Sequence, residues 1–150
     1  VTKLLLSVHV LAAILAVGPI AVAASLFPRY ARPSEGTPGG GETAVFLHRI
    51  CRGYTVVGVA VPAFGFATGA RLGVLTDAWL IASIVLTAIA AAVLALAILP
   101  GQRRLLAPPP DAAGLRRAAA RLGAVTGVFN LLWAIVVVLM IVRPGSTTGA

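Results

Sequence analysis

Acidic residues are nearly missing from this chain. Only four carboxylates occur in 150 residues, Glu35, Glu42, Asp77 and Asp111, and none falls inside a long apolar stretch. That argues against proton-coupled transport through buried carboxylates. Lysine is scarcer still, one against eleven arginines. The single cysteine, Cys51, excludes a disulfide within the chain and a cysteine-based metal cluster. It reads as a small apolar filler. One methionine and two histidines fall short of the several soft or imidazole ligands that copper transport uses. No phosphate-cradling glycine loop, nucleophile triad or metal-ligand cluster appears.

What the chain has in abundance is apolar length. The hydrophobic fraction is 59% and the charged fraction 11%, against about 25% charged in an average soluble domain. Such a composition cannot cover a water-facing surface, so the expected solvent is lipid. Four stretches carry no charge: Leu4–Pro28, Gly53–Ala70, Ala78–Gln102 and Leu122–Val142. A helix needs about 20 apolar residues to cross the hydrocarbon. Three stretches meet that outright. The second is short, and Val45, Phe46, Leu47 and Ile50 set against His48, Arg49 and Arg52 give it an amphipathic lead-in near the headgroups.

The expected fold is therefore all-α: a polytopic membrane protein, one domain, an antiparallel bundle of four transmembrane helices. The helices are placed at about 2–27, 44–70, 77–99 and 112–142, with a flexible tail at 144–150. Gly18-Pro19 and Pro62 predict kinks in the first two helices. The Pro28–Pro33 region stops the first helix, and Ser34–Gly41 is a loop. Thr76 or Asp77 caps the third helix, and Pro100-Gly101 ends it. Pro108-Pro109-Pro110 forms a stiff linker, and Asp111 caps the fourth helix. Trp79 falls at a membrane entrance. Gly65/Gly69, Gly69/Gly73 and Gly123/Gly127 give the second and fourth helices close-approach faces, for packing within the bundle or for a homodimer or membrane-complex partner.

Net charge is +8 and the pI about 11.6. The arginines flank apolar spans, which points to orientation signals and not to nucleic acid. Arg29, Arg32, Arg49, Arg52, Arg103, Arg104, Arg116, Arg117 and Arg121 fall on one side, and Lys3, Arg71 and Arg143 on the other. The positive-inside rule then puts loops 28–43 and 100–118 in the cytoplasm and both termini outside. The arginine, alanine and glycine bias fits a GC-rich bacterial genome, hence the bacterial cytoplasmic membrane, with Val1 reading as a GTG start. Lys3 and Ala21-Val22-Ala23 imitate a signal peptide. The apolar run is longer than such a signal and holds His9 and Pro19, so an uncleaved helix is expected.

Few residues offer chemistry. His9 lies inside the first span, where an ionisable side chain is costly and marks a candidate site. It could ligate haem iron or copper, relay protons, or form a neutral hydrogen bond to a neighbouring helix. His48 reads as interfacial, more than ~10 Å from His9 in depth, so the two cannot bind one haem. Met140 lies within about two helical turns of the depth of His9 and is the candidate second ligand; packing is its alternative. Asn130 is a mid-membrane amide that must find a partner across helices, with Trp133 on the same face. Arg49, Arg52, Arg116, Arg117 and Arg121 form a cytoplasmic basic face that could hold anionic lipid headgroups or a propionate-bearing ligand, or simply set topology.

The segments "LLSVHVLAAILAVGPIAVAASLFPRYAR", "HRICRGYTVVGVAVPAFGFATGARLG" and "FNLLWAIVVVLMIVRP" resemble a family of predicted integral membrane proteins, domain of unknown function 2269. They are more distantly similar to copper-resistance-D proteins and HemJ-type protoporphyrinogen oxidases. His9, the exit Phe27–Arg29 and the frame Phe129–Pro144 carry most of the likeness. The resemblance implies a four-helix membrane fold and, from the HemJ-type enzymes, a haem-associated role for His9. The third helix departs from those enzymes, lacking ionisable residues. Three readings follow: a non-enzymatic membrane protein with a haem b site at His9, a HemJ-like haem-dependent porphyrinogen oxidase, or an accessory subunit of a larger membrane complex.

Overall fold

The computed structural model describes residues 1–32, 39–107 and 111–146. The expected stop at Pro33, most of the Ser34–Gly41 loop, the Pro108–Pro110 linker and the tail at 147–150 lie outside the described residues. Four helices are long and apolar enough to cross a membrane: Thr2–Tyr30, Gly40–Leu72, Ala78–Leu106 and Ala112–Val142. At 1.5 Å per residue, each exceeds the ~30 Å hydrocarbon core. The connections between them are short, so consecutive spans run in opposite directions.

The first span is α1 (Thr2–Tyr30), which runs a turn beyond its expected end at Phe27. Pro28 lacks an N–H but has a helical φ, so it costs one hydrogen bond without ending the helix. The Ala31 N–H, bonded to the Phe27 carbonyl at 2.9 Å, holds the last turn. The second span comprises α2 (Gly40–Gly58) and α3 (Ala60–Leu72), interrupted at Val59. Pro62 explains the break, because it cannot donate to the Gly58 carbonyl. The Val59 N–H instead reaches back to Val56 at 3.3 Å. Gly73, at φ 71°, closes α3; the Gly73 and Val74 amides return to the carbonyls of Ala70 and Gly69 in a Schellman arrangement that favours glycine.

The third span corrects an expectation. Pro100-Gly101 does not end it. After α4 (Ala78–Val93), a π-helical turn at Leu94–Ile98 leads into α5 (Leu99–Leu106). In that turn the Leu99 N–H bonds to the Leu94 carbonyl. The wider pairing changes the register just ahead of Pro100, and the helix continues for two more turns. Loop 100–118 is correspondingly shorter than expected. Asp77 occupies the N-cap position, but its carboxylate accepts from the Trp79 indole at 3.0 Å and does not cap. The fourth span, α6 (Ala112–Val142), has the expected bounds, and Asp111 caps it through the Gly114 N–H at 2.7 Å.

α1 lies against α2, α3 and α6, while α4 packs on α6. The core gathers at the arginine-bearing end, where Ile20–Phe27 of α1 meet Leu47 and Cys51 of α2, Ile98 and Leu105 of the third span, and Ala119, Leu122 and Phe129 of α6. Outward-facing residues are apolar: Leu96 is 78% exposed and Ile141 75%. Such a surface suits hydrocarbon and not water. Two of the glycines expected at close approaches are used within the bundle, since a Cβ at Gly65 would meet the His9 ring and one at Gly69 would meet Leu80. Gly123 and Gly127 face open space.

Candidate functional site

His9 is 9% exposed and held against α3. Its Nδ1 lies 2.8 Å from the Val61 carbonyl oxygen. A carbonyl only accepts, so Nδ1 carries the proton, and a neutral ring keeps its lone pair on Nε2. Gly65 admits the ring, because a Cβ there would stand 2.8 Å from Cε1. The arrangement joins the first and second spans. Met140, the candidate second ligand, is half-buried near the end of α6, and its carbonyl accepts from the Arg143 Nε at 3.3 Å. Among the described residues there is no group of three or more His, Cys, Asp or Glu side chains able to hold a metal ion.

His48 does not face the headgroups as the amphipathic pattern implied. It is buried, and its Nδ1 donates to the Gln102 Oε1 at 2.8 Å. The extension of the third span past Pro100 explains the difference, since it carries Gln102, fully buried, over α2. The Gln102 Nε2 in turn donates to the Cys51 Sγ at 3.4 Å, and that thiol points to the Ile20 carbonyl at 4.0 Å. Each donor hands on to the next acceptor in one direction, so the bonds polarise one another. Cys51 is therefore a link between three elements as well as an apolar filler. The available signal was that Gln102 is the only glutamine in the chain and that His48 and Cys51 share a helix face.

Asn130 finds a partner across helices, its Nδ2 donating to the Ser25 hydroxyl of α1 at 3.0 Å. Its Oδ1 is buried without a partner, as are the Thr126 hydroxyl and the Trp133 indole N–H. The three residues repeat at i, i+4 and i+7, so they share one face of α6. Ser7, Thr55, Thr68 and Ser83 all bond back to the carbonyl four residues earlier; Thr126 does not. Trp133 packs edge-on against Phe129, with centroids 6.3 Å apart. At the C-terminal end of α6, the Arg143 guanidinium lies 5.5 Å from the Trp79 ring centroid.

The basic face is not uniform. Arg49, Arg52, Arg116, Arg117 and Arg121 are all exposed. Arg117 and Arg121 of α6 converge with Arg104 of α5 on a groove of about 400 Å³. Its walls are apolar, with Leu96 and Ala97 on one side and Leu122 and Val125 on the other. Gly101 sets the helix spacing, since a Cβ there would meet Leu122 at 3.0 Å. Arg49 borders a separate shallow depression beside Glu42. Among the described residues, Arg104, Arg117 and Arg121 have no carboxylate within ion-pair distance.

Comparison with protein-family models, with curated proteins and with solved structures finds no match to this chain.

Proposed function

We propose that this is a non-enzymatic protein of the bacterial cytoplasmic membrane, whose buried polar side chains join helices and whose arginine-rich end engages anionic headgroups of the cytoplasmic leaflet. The observation that carries the reading is the convergence at one end of the bundle of guanidinium groups that have no carboxylate partner among the described residues. Unpaired cations at headgroup height are attracted to anionic lipid. The nine-to-three arginine and lysine asymmetry supports the same end as cytoplasmic. Single cysteines at Ala107 and Thr76, in a Cys51→Ser background, test it with a membrane-impermeant maleimide. Ala107 is expected to react only from the cytoplasmic side and Thr76 only from outside; the reverse pattern overturns the reading.

A second reading makes His9 an axial ligand of haem b, with Met140 as the other ligand. It rests on the resemblance and on the tautomer that Val61 imposes, since ligating histidines characteristically donate their other N–H to a carbonyl or carboxylate. Bound haem would supply electron transfer. The porphyrinogen oxidase reading adds a substrate to this site, and the third span, with no ionisable residue between Ala78 and Gln102, gives it no support. The accessory-subunit reading is favoured by the open Gly123/Gly127 face, onto which a partner helix or a second copy would pack.

A further inference from the structure

We propose that the groove between α5 and α6 is a binding site for a phospholipid whose headgroup carries two phosphates. The inference rests on the reading of this end as headgroup-facing and names its ligand. Three features argue for it. Arg117 and Arg121 stand one helical turn apart, about 6 Å along α6, and Arg104 faces the same groove from α5. Two phosphates can therefore each meet a guanidinium, with the third shared between them. The charge points the same way: three cations without carboxylate partners among the described residues leave +2 against a single phosphate monoanion and +1 against two. Finally, the groove continues from the arginines onto Leu96, Leu122 and Val125, which offer an acyl chain an apolar wall. A soluble anion has no use for that wall; a lipid buries a chain against it. Guanidinium suits the headgroup because its fork matches phosphate oxygens in pairs.

Native mass spectrometry of the full chain in neutral detergent tests this, with diphosphatidylglycerol, phosphatidylglycerol, phosphatidylcholine and inorganic pyrophosphate as separate probes. Diphosphatidylglycerol is expected to bind tightest. Each guanidinium that bonds a phosphate within the groove contributes about fivefold in affinity. The triple variant R104Q/R117Q/R121Q should therefore weaken binding about a hundredfold. The control R49Q/R52Q/R116Q removes the same charge outside the groove and should change affinity only a few-fold. Ala118→Trp, which fills the groove without altering charge, should weaken binding too, and this keeps the test decisive if the triple variant does not fold. Equal losses in the two triple variants would mean general surface attraction and overturn the site. Equal affinity for the one-phosphate and two-phosphate lipids would overturn the headgroup assignment, and equal affinity for pyrophosphate would overturn the lipid. The maleimide pattern is independent of all these outcomes, so failure of the orientation and failure of the site are distinguishable.

Discussion

Replacing Gly65 with alanine should destabilise the bundle, although alanine is the better helix former. The new methyl would stand 2.8 Å from the His9 Cε1 and 3.1 Å from its Nδ1. The ring cannot yield freely, because Nδ1 is fixed by its bond to the Val61 carbonyl at 2.8 Å. Overpacking of this kind costs about 1–3 kcal/mol. Losing the hydrogen bond adds about 0.6–1 kcal/mol, while the helix preference returns about 1 kcal/mol. The expected net loss is about 1–3 kcal/mol. Gly123→Ala and Gly127→Ala meet nothing within 4 Å, so in monomeric detergent-solubilised protein they should be neutral or stabilising by up to ~1 kcal/mol. Equilibrium unfolding of Gly65→Ala, His9→Ala and the double variant, followed by circular dichroism, isolates the contact. In the His9→Ala background, Gly65→Ala should lose its penalty and behave like Gly123→Ala. If Gly65→Ala is as mild as Gly123→Ala in the wild-type background, the close packing of His9 is refuted.

Three further outcomes follow from the polar contacts. Gln102→Leu removes the middle of the His48–Gln102–Cys51 chain and strands a buried imidazole N–H, at a cost of about 1–3 kcal/mol; chemical unfolding reads the cost, and Cys51 should react faster with a thiol reagent. Unchanged stability and reactivity would argue against the network. Thr126→Val replaces a buried hydroxyl that has no partner, so the midpoint should stay the same or rise by up to ~1 kcal/mol equivalent, whereas a clear loss would reveal a partner for that hydroxyl. Arg143→Gln removes the cation over Trp79 and should cost about 0.5–1 kcal/mol, with amide exchange rising at residues 76–80; no change in either would mean the contact adds nothing.

Much of the architecture was legible because one physical requirement governs it. Charge is excluded from hydrocarbon, so the charge-free stretches locate the spans, and Asp111 marks the start of α6 at the residue where it forms. The third span differs from expectation at Pro100 because a proline reads locally as a helix stop, whereas the π turn that accommodates it has no sequence signature. A helix that stops at Leu99 leaves Gln102 in a loop and His48 without the partner that buries it. His9 was recognisable as costly inside a membrane, but its partner was not. Which face of α1 meets Gly65 depends on how two helices are rotated against each other, and that is fixed by the whole bundle. The basic face was visible as a count of arginines; its division into a groove and a periphery required α5 to continue as helix beside α6.

His9 serves as a joint between helices. A visible absorption spectrum of the protein, purified in mild detergent from cells supplied with haem precursor, with and without dithionite, tests this role against haem ligation. No Soret band is expected in the wild-type protein and no spectral difference in His9→Ala, which should differ only in stability. A Soret band that shifts on reduction and disappears in His9→Ala would contradict it and make His9 a haem ligand.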